Sequence, residues 1–234
     1  MTVTTIRPEL EALPVRLRHL PLDARGYPVP WFVDWIDGPD GRVPEFRAMD
    51  PEKFRRAVTE RRCWVCGEPL GRWLTFPIGP MCAITRTTAE PPSHLECASW
   101  SVRNCPFLSQ PRMVRREGGM EGAEKAAGMM IMRNPGVICI WTTRGYELFN
   151  DGQGKPLITI GNPESVAWWR EGRAATRAEV EDSVAGGLPI LMNEAKQQGR
   201  FAVEEFGRCV DRARLLFPVS GLQSVDAVTS PTTR

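Results

Sequence analysis

The chain has 234 residues and a formal net charge of +2, with 42% hydrophobic and 25% charged residues. That is the composition of an ordinary soluble globular protein, long enough for one sizeable domain or two small ones. No apolar run approaches the ~18 residues of a membrane span. The stretch from Met1 to Leu20 has neither the apolar core nor the small-residue cleavage site of a signal peptide, so the expected compartment is the cytoplasm, where thiols stay reduced.

Residues 1–12 read as a frayed leader. In "PVRLRHLPL" (14–22), Val15, Leu17 and His19 alternate with Arg16 and Arg18, the pattern of a half-buried strand. "PWFVDWID" (30–37) is a second strand, "GPDG" a turn, and "VPEFRAM" (43–49) a short Pro-containing edge strand. Asp50 then caps a helix with Pro51 at its first position and Phe54, Ala57 and Val58 as its apolar stripe.

The next segment holds most of the chemistry. Five of seven cysteines (Cys63, Cys66, Cys82, Cys97 and Cys105) fall between residues 63 and 105, and an odd total does not suit a secreted disulfide framework. "CWVCGEPLG" (63–71) is a knuckle, with two thiolates two residues apart and a glycine that lets backbone amides turn toward the sulfurs. "RWLTFPIGPMCAI" (72–84) reads as a hairpin, and a helix starting at Ser93 carries His94 and Cys97 in its first turn, three apart on one face. Knuckle, hairpin and ligand-bearing helix resemble a treble-clef zinc finger. Closed Zn2+ coordination by Cys63, Cys66, His94 and Cys97 is then structural rather than catalytic, with Cys82 and Cys105 as alternate ligands. Cys139 and Cys209 lie in apolar runs and read as core residues.

Catalytic signatures are thin, and no catalytic residue is assigned. "HLE" (94–96) and "CWVC" match pieces of the zinc-deaminase pattern, but in reversed order and without the proline before the first cysteine. A treble-clef nuclease needs a general-base histidine, and outside His94 the sequence offers only His19.

The cysteine-rich segment is also the basic one: residues 53–116 carry 11 Lys/Arg against 4 Asp/Glu. Arg55, Arg56, Arg61, Arg62, Arg72, Arg86 and Arg103, interleaved with Trp64, Trp73 and Trp100, suit phosphates and unpaired bases. Trp73 is the candidate stacking residue.

"CPFLSQPRMVRREGGMEGAEKAAG" (105–128) is rich in Pro and Gly, and its 111–128 portion is the expected linker or mobile loop. Beyond it, "GVICIWTT" (136–143), "GYELFN" (145–150) and "PLITIG" (156–161) are expected to form a meander. Asn162 and Pro163 would then open a helix containing Trp168 and Trp169. The whole stretch would echo the strand–turn–strand–helix order of residues 31–58. Thr176 and Glu179 make a capping box for a helix ending at Gly186-Gly187, Pro189 restarts one that breaks near Gly199, and a last helix spans about 201–217. The tail 218–234 has no periodicity and reads as disordered.

The fold class that follows is α+β. Small antiparallel sheets and capped helices surround the treble-clef-like zinc site in residues 13–110, and a β-meander plus helices fills 129–217. "GYPVPWFVDWIDG", "CWVCGEPLG", "IGPMCAITRTTAEPPSHLECASW" and "CPFL", with a looser match at "WWREGRAATRAEVEDSVAGGLPIL", resemble a group of uncharacterised bacterial and phage proteins. The resemblance implies a phage or mobile-element origin and supplies no mechanism. The function expected is a zinc-stabilised, non-enzymatic binding protein acting on nucleic acid. Two alternatives remain: a protein-interaction factor engaging a host enzyme, and an unrecognised zinc enzyme of nuclease or deaminase type.

Overall fold

A computed structural model describes residues 5–39, 41–110, 127–128 and 135–219. Its regular elements in chain order are strands β1 (Val33–Gly38) and β2 (Gly41–Met49), helix α1 (Pro51–Thr59), strand β3 (Leu74–Ile78), helix α2 (Pro80–Thr85), strand β4 (Thr87–Thr88) and helices α3 (Leu95–Asn104) and α4 (Pro106–Ser109). The second half contributes β5 (Ile138–Thr143), β6 (Tyr146–Asn150), β7 (Pro156–Ile160), β8 (Ser165–Arg170) and β9 (Arg173–Ala174), then α5 (Arg177–Gln198) and α6 (Arg200–Arg214). This is an α+β protein with small antiparallel sheets and a helical C-terminal part. Among the described residues no helix is long and apolar enough to cross a membrane.

Three antiparallel sheets form, ordered β1-β2, β3-β5-β8-β9 and β4-β7-β6. The second is the spine, and β5 at its centre is buried along its whole length. Cys139 and Trp141 on one face join Leu74, Phe76, Ile78 and Trp168 in the main core, which α2, α5 and α6 cover. Ile138 and Ile140 on the other face pack with Val102 of α3, backed by Leu95, Leu108 and Trp169. A strand covered on both faces needs an unbroken apolar run, and "ICIW" supplies it.

The structure corrects several expectations. Residues 14–20 are not a strand. Leu17 donates to Pro14 O at 2.9 Å and Leu20 to Leu17 O at 3.1 Å, making a 3-10 turn (Val15–Leu17) followed by a further turn. Buried Leu17 and Leu20 are thus three apart, as a turn of this tightness requires.

Residues 72–84 are not a hairpin either. β3 pairs with β5, and Gly79-Pro80 starts α2, because proline's fixed φ and missing N–H suit a first helical position. The expected meander splits, since β5 joins β3 and β8 while β6 and β7 pair with each other and with β4. The stretch 162–170 holds no helix, and its residues 165–170 form β8. Pairing with the buried β5 overrides the Asn-Pro-Glu start signal, and the echo with residues 31–58 ends there. Trp168 and Trp169 consequently face opposite sides of the sheet, one in each core.

The helix expected to break at Gly186 runs unbroken through Pro189 to Gln198. At Gly187 a Cβ would stand 2.6 Å from Met81 Sδ, so the missing side chain lets α5 lie against α2. Of the three expected helix starts at Asp50, Asn162 and Thr176, the first and the last hold. Asp50 accepts from the amides of Glu52 (2.9 Å) and Lys53 (3.2 Å), and Thr176 and Glu179 form the reciprocal capping box. The last helix is α6, shorter than expected. Most of the proposed linker, and the tail from residue 220, lie outside the described residues.

Candidate metal centre

A second, smaller core surrounds the cysteines. Cys63, Cys66 and Cys97 are 0–1% exposed and pack with Leu17, Leu20, Val65 and Trp100, flanked by Ile6, Leu10, Leu13, Trp31 and Leu70. The four side chains Cys63, Cys66, His94 and Cys97 offer ligand atoms that all lie within 4.8 Å of one another, close enough to hold a metal ion. Cys66 Sγ is 3.4 Å and Cys97 Sγ 3.9 Å from His94 Nδ1. Zinc bonds of about 2.3 Å to sulfur and about 2.0 Å to nitrogen put the edges of a tetrahedron at about 3.5–3.8 Å, so these spacings suit an ion of that size.

Local backbone geometry builds the cluster. Between Cys63 and Gly67 the chain turns tightly, Gly67 N–H donating to Cys63 O at 2.8 Å, and Gly67 has φ +76°. The turn aims the Cys66 amide at Cys63 Sγ (3.4 Å), and the His94 amide reaches the same sulfur at 3.4 Å. Two N–H donors on one sulfur favour its thiolate. The other half of the site is positioned by a two-way backbone bridge between Thr75 and Ser93 (2.7 and 3.0 Å), which sets the residue before His94. His94 is the N-cap of α3 and Cys97 lies in that helix's first turn.

Contacts outside the four ligands complete the centre. His94 Nε2 donates to Pro69 O at 3.1 Å, which turns Nδ1 toward the sulfurs. His19 Nε2 lies 3.0 Å from Cys66 O and steadies the knuckle. Arg16 pairs with Glu68 of the knuckle and lies 3.7 Å from Glu96 of α3, tying the two halves together. Sequence spacing marks neither Arg16 nor His19 as part of the centre. They lie dozens of residues upstream, and no spacing rule connects them to the knuckle.

The charges of these side chains depend on one another. Burial disfavours a charged Cys63, but hydrogen bonds from Cys66, Cys97 and His94 outweigh it and hold that thiol below its ordinary range. Cys97 is driven the other way, first by its contacts with Cys63 and Cys66 and then by burial. Three sulfurs cannot all ionise side by side unless a positive ion sits among them, and a metal deprotonates coordinating thiols outright.

The remaining sulfurs stay apart from this cluster. Cys82 lies on α2 against the main core, where burial pushes its thiol up to about 11. Cys105 follows α3, and burial raises it too. Cys139 is fully buried in the main core, while Cys209 is only partly buried at its edge.

No family model matches the chain, nor does a curated protein or a solved structure.

The seven arginines expected to meet nucleic acid divide into groups. Arg55 pairs with Glu52, Arg56 and Arg62 with Glu60, and Arg103 with Glu11, so four of the seven are matched by carboxylates. Arg86 ends α2 in the left-handed region (φ 56°) and donates to Ile160 O at 3.0 and 2.8 Å and to Asn162 Oδ1 at 3.0 Å, which joins α2 to β7. Arg61 and Arg72 are exposed and have no carboxylate partner among the described residues. Trp64 and Trp100 are buried, 4% and 5% exposed, whereas Trp73 is partly exposed and belongs to none of the three cores.

Proposed function

We propose that this chain is a zinc-stabilised, non-enzymatic binding protein whose target is nucleic acid. The observation that carries the reading is the closed Cys3His set. Four donors gather within 4.8 Å of one another, three of them are buried, and the fourth has its second ring nitrogen tied to Pro69 O. A catalytic zinc keeps a position open for water, whereas a full set of sulfur and imidazole ligands suits an ion that holds the fold.

Glu96, the only counterpart of a deaminase proton shuttle, leans toward Arg16 and is half exposed. The knuckle and the ligand-bearing helix correspond to two parts of a treble clef. The hairpin between them is replaced by β3 and α2, so the likeness rests on the ligand-bearing parts alone.

Nucleic acid is favoured by the charge left uncompensated at the knuckle. Arg61 and Arg72 flank it with guanidiniums that no carboxylate of the described residues neutralises, and these suit phosphate oxygens.

The purified protein is expected to carry about one zinc per chain by atomic emission. Cys63→Ser, Cys66→Ser and Cys97→Ser are each expected to lose metal and unfold, because binding free energy at such a site is folding free energy. Cys82→Ala and Cys105→Ala keep the metal. Metal-free wild type that melts at the same temperature as the loaded protein would remove the structural-zinc reading. The nucleic-acid half fails if neither DNA nor RNA binds at low salt.

A further inference from the structure

We propose that the nucleic-acid contact is a single-strand stacking platform centred on Trp73, just before β3 of the β3-β5-β8-β9 sheet, with Arg61, Arg72 and Arg144 around it. This deepens the nucleic-acid reading above and rests on it.

The platform is assembled by the sheet. Leu74 at the start of β3 is registered with Thr143 at the end of β5, so Trp73 and Arg144 face each other one step past the last pair. The Arg144 guanidinium lies 5.0 Å from the centre of the Trp73 ring, and that of Arg72 lies 5.4 Å from it. Arg144 is held there by a two-pronged pairing with Glu164 at 2.8 and 3.2 Å. Arg61 adjoins the same segment, through Leu70 N–H to Arg61 O at 2.7 Å and Arg61 Nη2 to Gly71 O at 3.4 Å.

These residues divide the work. Glu164 neutralises Arg144, whose part is to orient the ring. Among the described residues Arg61 and Arg72 have no carboxylate beside them, and they are left for phosphates. Trp73 is partly exposed and is not among the residues of the three cores. An indole flanked by guanidiniums matches an unpaired base with its backbone phosphate, because every base has a π-face and every linkage a charge.

A duplex is a poorer match. Reading its major groove needs a helix or ribbon with free cations. The arginine-bearing face of α1 is closed by the Arg55–Glu52 and Arg56–Glu60 pairs.

The test compares zinc-loaded wild type with four variants, after melting and zinc content show that each is folded. Fluorescein-labelled dT20 and a 20-base-pair duplex are titrated at two salt concentrations. Trp73→Leu keeps apolar bulk but removes the stacking face, and it is expected to weaken dT20 binding about 5- to 100-fold. Trp73→Phe is expected to recover part of that affinity. The double variant Arg61→Ala, Arg72→Ala is expected to flatten the salt slope by about 1.4, at about 0.7 for each phosphate of the single strand that is no longer neutralised. Arg200→Ala, on exposed α6, should bind as wild type does.

Wild type that binds neither oligonucleotide removes the nucleic-acid reading, and this inference with it. If wild type binds dT20 but Trp73→Leu and the arginine pair bind it equally well, the platform is refuted while the nucleic-acid reading stands. A preference for duplex over dT20 overturns the single-strand assignment.

Discussion

Gly67, directly after the second knuckle cysteine, gives a prediction whose size can be worked out atom by atom. Its φ of +76° is a conformation that any side chain resists. A Cβ built there would also meet the Trp31 ring at 2.6, 2.7 and 2.9 Å, closer than real contacts allow. Trp31 cannot simply retreat, because its amide donates to Val65 O at 2.7 Å and its ring packs against the cysteine core.

Gly67→Ala therefore combines a left-handed backbone cost of about 1–2 kcal/mol with an overpacking cost of about 1–3 kcal/mol, for a total of about 2–5 kcal/mol. Two other glycines separate the terms. Gly154, in the turn between β6 and β7, has φ +79° and open space around its missing Cβ, so Gly154→Ala should show the backbone cost alone. Gly71 has open space and no left-handed φ, and Gly71→Ala should be neutral or stabilising by up to about 1 kcal/mol. Urea unfolding of the three variants at fixed excess zinc, with zinc content measured alongside, gives the comparison. Gly67→Ala that unfolds at the same midpoint as Gly154→Ala would mean that Trp31 yields without cost, and the steric argument for the knuckle would be wrong.

Three further outcomes are expected. Glu96→Ala should retain zinc and cost at most about 1 kcal/mol, the value of its exposed contact with Arg16; release of the metal on that change would show Glu96 to be part of the site. Trp168 Nε1 donates to Leu216 O at 2.8 Å and its ring meets Phe217 edge-on, so Trp168→Phe should cost about 1–3 kcal/mol in urea, and a neutral result would show that the end of α6 docks without it. Glu179 is held down to about 2, chiefly by its hydrogen bond with Arg173, against an ordinary 4.5. A carboxylate lowered in this way stabilises the fold above pH 4.5 and loses that effect as pH falls toward 2, so the stability gap between wild type and Glu179→Gln should narrow below pH 4.5; a constant gap would place the interaction elsewhere.

The sequence by itself determined the features that depend on neighbours a few residues apart. Cys63 and Cys66, and His94 and Cys97, were legible as two pairs of candidate ligands because a knuckle and a helical turn each impose a short spacing, and the fold brings them within 4.8 Å of one another. Asp50 with Pro51 and Thr176 with Glu179 were legible because a cap is a local hydrogen-bond problem with few solutions. The run of β5 marked a buried strand. The tertiary structure alone decided what depends on partners far along the chain. Asn162, Pro163 and Glu164 carry a helix-start signal, yet residues 165–170 become β8 because β5 offers a row of unpaired backbone groups and a core for Trp168. Gly186, Gly187 and Pro189 do not end α5, since packing against α2 rewards the missing side chain at Gly187. Arg16 and His19 reach the metal centre, and Arg144 reaches Trp73, across separations that no periodicity records. The basic segment shows the same division: its local excess of arginine is plain in the sequence, but which guanidiniums are left without a carboxylate was settled by where Glu11, Glu52 and Glu60 came to lie.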